Sequence, residues 1–134
     1  MLIETDVLLA ALNPADPGSK PARKVLGQER LMLSPYSLLE LNLLARAGRL
    51  SISDYDGFAD DLGALLDACS VKTLSDRAEY HASARRLESR FKLTFFDSLH
   101  AAVSKLQKEV LVSFDRAYDK LRDEGVRRID PRDV

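Results

Sequence analysis

Tryptophan is absent from the 134-residue chain, and cysteine occurs once, as Cys69. A lone thiol cannot close an internal disulfide, and with only two histidines, His81 and His100, it cannot build the usual Cys/His zinc site. Glycine and proline are scarce, at 6 and 5 residues, which excludes collagenous or Gly/Pro-rich disordered sequence. Neither sign of charge dominates. Against 20 basic side chains stand 21 acidic ones, so the net charge of −1 excludes nucleic-acid binding by bulk charge and leaves only a local basic patch. No apolar run approaches the ~20 residues of a membrane span, and the opening Met1-Leu2-Ile3 turns acidic at Glu4, unlike a secretory signal. A soluble protein of a reducing, cytoplasmic setting without membrane contact is expected. There is no G-x-G-x-x-G, P-loop, H-E-x-x-H or G-x-S-x-G motif.

What is present is a 46% hydrophobic chain, enough for one core and a single domain over residues 1–134. Short apolar runs at Met1–Ile3, Leu31–Leu33, Val71–Leu74, Val110–Phe114 and Val126–Ile129 read as strands. Between them, helical spacing covers Val7–Leu12, Ala22–Leu26, Pro35–Ala47, Asp54–Ala68, Asp76–Phe91, Asp97–Lys108 and Arg116–Asp123. Ser34, Ser53 and Ser75 are placed to cap the helices that follow them, the first with Pro35 as its opening residue. Strands alternating with helices imply an α/β fold with a mostly parallel sheet covered on both faces, because parallel neighbours need crossovers long enough to hold a helix.

In such sheets ligands bind beyond the carboxyl ends of the strands, and acids cluster there. Glu4 and Asp6 follow the first run, Glu40 lies in the helix after the second, Asp97 follows Phe95-Phe96, and Asp115 follows Phe114. Taken singly, most have a structural reading. Asp6 can cap the helix beginning at Val7, Glu4 can be a solvated strand end, Asp97 suits a helix start, and Asp115 can be a cap. Glu40 is different: on a helical wheel it falls between Leu43 and Leu44, away from Asn42 and Arg46, and a carboxylate aimed into an apolar sector needs a partner. Gathered carboxylates repel one another, a cost usually met by a hard cation such as Mg²⁺ or Mn²⁺. His100 and His81 read as helical packing residues, and Arg85, Arg86, Arg90 and Lys92 as a solvated basic face that also suits phosphate contact.

The pattern resembles the PIN-domain ribonucleases, including the toxins of virulence-associated B/C type toxin–antitoxin pairs, over nearly the whole chain. Ile3-Glu4-Thr5-Asp6-Val7-Leu8-Leu9 is similar to the family's opening strand and turn, and Ser37-Leu38-Leu39-Glu40-Leu41 to its central glutamate helix. Phe96-Asp97-Ser98-Leu99-His100-Ala101-Ala102 resembles its third-acid motif, and Leu111-Val112-Ser113-Phe114-Asp115-Arg116-Ala117-Tyr118 its last strand and acid. One departure stands out: Glu4 occupies a position where the family normally has Asp, and Asp6 one usually held by Asn, Ser or Asp. The resemblance implies a three-layer Rossmann-like α/β fold, a Mg²⁺- or Mn²⁺-dependent endoribonuclease, an RNA substrate, an antitoxin protein partner and a homodimer.

On that reading Glu4, Asp6, Glu40, Asp97 and Asp115 hold the metal, with Glu4 the principal first ligand and Asp6 the secondary one, while Thr5 and Ser113 orient water or substrate. Arg46, Arg49, Arg85, Arg86 and Arg116 are the candidate phosphate contacts. Two rivals belong to other classes. A receiver-type phosphoacceptor domain would use Asp76 after the third strand, although no lysine follows the last one, and a silent PIN-type interaction module would keep the fold without the chemistry.

Overall fold

The five apolar runs become five strands of one all-parallel sheet, ordered β3-β2-β1-β4-β5. They are β1 (Leu2–Ile3), β2 (Met32–Leu33), β3 (Lys72–Thr73), β4 (Leu111–Val112) and β5 (Arg128–Ile129). This computed structural model describes every residue, Met1–Val134. Each paired strand is two residues long, shorter than its apolar run. At β4 the cause is visible: the Phe114 N–H donates to Asp6 Oδ2 at 2.7 Å instead of to a neighbouring strand, which ends the ladder.

The crossovers are α1 (Thr5–Leu12), α2 (Ser19–Leu26), α3 (Ser37–Arg46), α4 (Tyr55–Ala68), α5 (Ala78–Phe91) and α6 (Phe95–Gln107). Successive strand residues point to opposite faces, so Leu2 and Leu111 enter one core while Ile3 and Val112 enter the other. The first core is closed by α5 and α6 through Tyr80, Leu87, Leu99 and Val103, and the second by α1, α2 and α4 through residues such as Leu8, Val25 and Leu62. Three layers result.

The helix starts differ from the sequence reading in several places. Ser34 Oγ accepts from the Tyr36 N–H at 3.3 Å, but Pro35 stays in the turn and α3 begins at Ser37. Asp54, not Ser53, caps α4, and α5 starts after Arg77 with no side-chain cap from Ser75. Arg116–Glu124 is a 3₁₀ segment and not an α-helix; Asp115 Oδ1 accepts from the Ala117 N–H at 2.8 Å, tightening the entry, and Gly125 at φ +88° closes the exit. α5 ends on Lys92 in the left-handed region at φ 52°, where a Cβ is strained. Lys92→Gly is therefore expected to raise stability by about 0.5–1 kcal/mol, read as a shifted urea midpoint with unchanged slope.

The strand order also bears on the receiver alternative. A receiver-type sheet runs 2-1-3-4-5, with its third strand central, whereas here β3 is at the edge. Asp76, the residue that reading needs, bonds the Tyr36 hydroxyl at 2.5 Å and His81 Nε2 at 2.9 Å, and is not in the carboxylate group described next.

Candidate metal centre

Parallel strands end at one edge, and the residues just past β1, β2 and β4 meet there. Glu4 follows β1 as the N-cap of α1, its Oε2 accepting from the Asp6 N–H at 3.2 Å. This reverses the roles expected from sequence: Glu4 caps the helix, and Asp6 lies in its first turn. Asp6 reaches across to the end of β4, where Oδ2 accepts from Ser113 Oγ at 2.8 Å as well as from Phe114. Its other oxygen, Oδ1, is buried without a partner.

Glu40 approaches from α3 and His100 from α6. His100 is wholly buried, and its Nε2 lies 3.0 Å from Glu40 Oε2, 3.3 Å from Thr5 Oγ1 and 3.5 Å from Glu4 Oε1. Ligand atoms of Glu4, Glu40 and His100 all lie within 4.8 Å of one another. A carboxylate only accepts, so a proton on Nε2 ties the ring to Glu40; the same nitrogen can offer its lone pair to a cation only when that proton is gone. The wheel placed Glu40 inward beside Leu43, but the inward residues of α3 are Ser37 and Leu41, and Leu43 is exposed. Glu40 stands at the border of the buried sector, its side chain 17% exposed at the mouth of the site.

Asp97 lies one turn before His100 on the same side of α6 and accepts from the Tyr118 hydroxyl at 3.4 Å. Burial, followed by the charges of Glu4, Asp97, Asp6 and Glu40, raises the Tyr118 pKa well above its ordinary value, so this hydroxyl stays a donor. Asp115 is exposed at the edge of the group; its N–H donates to Ser113 Oγ at 3.0 Å while its carboxylate caps the 3₁₀ segment. None of the five acids has a lysine or arginine ion-pair partner.

A family model described as PIN domain matches residues 1–124. The chain belongs to the PIN domain family. No curated protein sequence matches it. Among solved structures, FitAcB from Neisseria gonorrhoeae is similar at a TM-score of 0.71 and 19% identity, with 99% of each chain covered. A toxin–antitoxin complex from Klebsiella pneumoniae gives 0.70 and 15%, covering 99% of this chain and 98% of that one. VapBC2 from Rickettsia felis bound to a DNA fragment from their promoter gives 0.65 and 13%, covering 96% of each. At these identities the likeness concerns the fold.

Two residues of this PIN domain's acidic edge lie in the motifs that carry the family resemblance without a role read for them in the sequence: His100, expected to be ordinary packing, and Tyr118. For His100 the available signal was spacing, three residues after Asp97 on the same side of α6, whereas Tyr118 reaches Asp97 from another element, which spacing does not reveal. His81 does pack structurally, against Asp76 and Tyr36.

Burial raises the Glu4 pKa well above the ordinary carboxylate range, with the charges of Asp6 and Glu40 adding to it. It also raises that of Asp6, against the opposing hydrogen bonds from Ser113 and Phe114. Folded-state values above the unfolded ones mean that the native state holds more protons between the two, so these groups cost no stability below the unfolded value and destabilise progressively as pH rises through the folded one. In chelator, the wild type should therefore lose more stability than Glu4→Gln as pH increases from the ordinary glutamate range towards neutrality. Parallel urea curves for the two proteins would disprove the repulsion.

Proposed function

We propose that the chain is a Mg²⁺- or Mn²⁺-dependent endoribonuclease and the toxin of a toxin–antitoxin pair. The observation carrying this reading is the Glu4–Glu40–His100 group at the carboxyl edge of a parallel sheet, with Asp6 and Asp97 beside it and no lysine or arginine to balance them. Such a donor set fits a hard divalent cation: it is oxygen-rich, and the Asp6 oxygen without a partner lies in the same corner. Glu4, Glu40 and Asp97 would hold it, with Asp6 and Asp115 as further acids. The chemistry it supplies when bound is neutralisation of the carboxylates and Lewis-acid polarisation of a phosphodiester and of water.

The chain's own residues do the rest. His100 positions Glu40 through the 3.0 Å contact, Tyr118 positions Asp97, and Ser113 holds Asp6 against the end of β4. Thr5 Oγ1, within 3.3 Å of His100, is the hydroxyl proposed to orient water or a phosphate oxygen, while Ser113 Oγ is committed to Asp6 and the Asp115 N–H. Exposed Leu38, Leu39 and Leu43 on α3 support an antitoxin-type partner that covers this face next to Glu40 and so limits access to the site. Assembly as a homodimer, as the family resemblance implies, is checked by light scattering.

The deciding experiment is RNA cleavage by nuclease-free protein with Mg²⁺, with Mn²⁺ and in excess chelator. Cleavage should vanish in chelator and return with either metal, which should also raise the melting temperature. Full cleavage without metal excludes this mechanism, and a metal-dependent rise in melting temperature with no cleavage supports the silent-module alternative.

A further inference from the structure

The basic run of α5 remains outside the metal centre, yet it forms one wall of a groove. This groove, about 390 Å³, lies between α5, α6 and the 3₁₀ segment, with Arg85, Arg86, Arg90 and Lys105 facing a single carboxylate, Glu124. A second groove of about 660 Å³ shares Lys105 and Glu124 with it and continues to the amino ends of β4 and β5, lined by Lys108, Arg122 and Arg127. The carboxylates lining the two are already compensated: Glu124 pairs with Arg90 at 2.8 Å and Lys105 at 3.3 Å, and Glu109 pairs with the Met1 ammonium at 3.3 Å. Arg86, Lys108, Arg122 and Arg127 have no ion-pair partner and are all exposed. A chain of net charge −1 thus concentrates unpaired positive charge along one continuous channel.

The geometry points to this channel as a binding track for the phosphate backbone of RNA, extending the substrate contact beyond the metal centre; the assignment of RNA rests on the nuclease reading above. Three observations favour a polyanion. Each groove has only one hydrophobic lining residue, Leu87 in the first and Val110 in the second, so neither offers the apolar anchors that a peptide needs. Four separate unpaired cations suit evenly spaced phosphates better than one compact anion. Finally, α6 joins the two sites, carrying Asp97 and His100 at its start and Lys105 near its end, with Lys108 as its C-cap. At a rise of ~1.5 Å per residue, Lys108 lies about 17 Å beyond Asp97 along the axis, with α6 itself buried from Ser98 to Ser104 between them. An RNA with its scissile bond at the acidic edge therefore reaches the channel only if it extends several nucleotides further.

The test uses the triple variant Arg86→Gln, Lys108→Gln, Arg127→Gln, which changes exposed side chains only. Affinity for a labelled RNA hairpin of about 30 nucleotides is measured in chelator across a salt series, and cleavage of that hairpin and of a roughly six-nucleotide RNA is measured with Mn²⁺. The wild type should bind the hairpin about tenfold more tightly, and the variant's log–log salt slope should be shallower by about 2–3. KM for the hairpin should rise about tenfold at unchanged kcat, while hexanucleotide cleavage stays the same. Equal hairpin affinity and slope in the two proteins overturns the proposal, as does equal loss on both substrates. Binding of poly-glutamate in place of RNA, lost in the variant, would reassign the channel to an acidic protein. If the wild type binds the hairpin through these residues but cuts no RNA, the track stands and the nuclease reading fails; cleavage that ignores the variant gives the reverse.

Discussion

Glu40→Gln should lower metal-dependent RNA cleavage by roughly 100-fold or more while leaving the melting temperature in chelator unchanged or higher. Loss of an outer-shell partner alone typically costs 10–100-fold in metal affinity or activity, and the proposed site makes Glu40 a direct ligand, so its removal should cost at least the upper end. Stability moves the other way for two reasons. The side-chain carbonyl of Gln still accepts from His100 Nε2, which preserves the 3.0 Å contact, and the substitution removes one charge from a group whose only basic neighbour is that histidine. Asp97→Asn should behave alike, because one oxygen remains to accept from Tyr118. Cleavage rates and thermal melts of both variants check this. Retained activity with a lowered melting temperature would make these acids structural and remove them from the site.

The sequence made the acids legible because a parallel α/β sheet places the residues after each apolar run at one edge, and the spacing of runs and helices implies that sheet. Helix boundaries were less legible. Glu4 and Asp6 illustrate why: Asp6 is the better N-cap type, yet Glu4 caps α1, because β1 stops at Ile3, a matter decided by pairing with β2 and β4 and not by local sequence. Thr5, which lies outside the helical spacing of Val7–Leu12, is the first residue of α1. The 3₁₀ character of Arg116–Glu124 was hidden for a similar reason, since Tyr118 and Leu121 at three-residue spacing suit either helix type. His100 was read too blandly because burial on an apolar helix face is the ordinary fate of such a residue. Only the arrival of Glu40 from α3 and Glu4 from β1 turns that burial into a polar contact.

The first carboxylate is where the structure most changes the expected consequences of mutation. Glu4→Gln should lower cleavage and Mn²⁺ binding about as severely as Glu40→Gln, at little or no cost in stability. The amide oxygen can keep the cap on the Asp6 N–H, and the lost charge is the one most strongly disfavoured by burial and by its neighbours. Asp6 holds structure as well. Its Oδ2 receives two donors, Ser113 Oγ and the Phe114 N–H, which fix the end of β4 beside β1. Asp6→Ala leaves both without this acceptor in a buried corner, and should cost about 2–3 kcal/mol against the smaller gain from removing a charge. Asp6→Asn retains one acceptor but directs an amide towards the position of Oδ1, which has no partner, so its stability should fall between those of Asp6→Ala and the wild type. Calorimetric Mn²⁺ titration and urea unfolding of the three variants separate the roles. If Glu4→Gln binds Mn²⁺ normally while Asp6→Asn does not, the metal belongs to Asp6 and Glu4 is only a cap; if neither loses binding, the end of β1 does not contribute to the site.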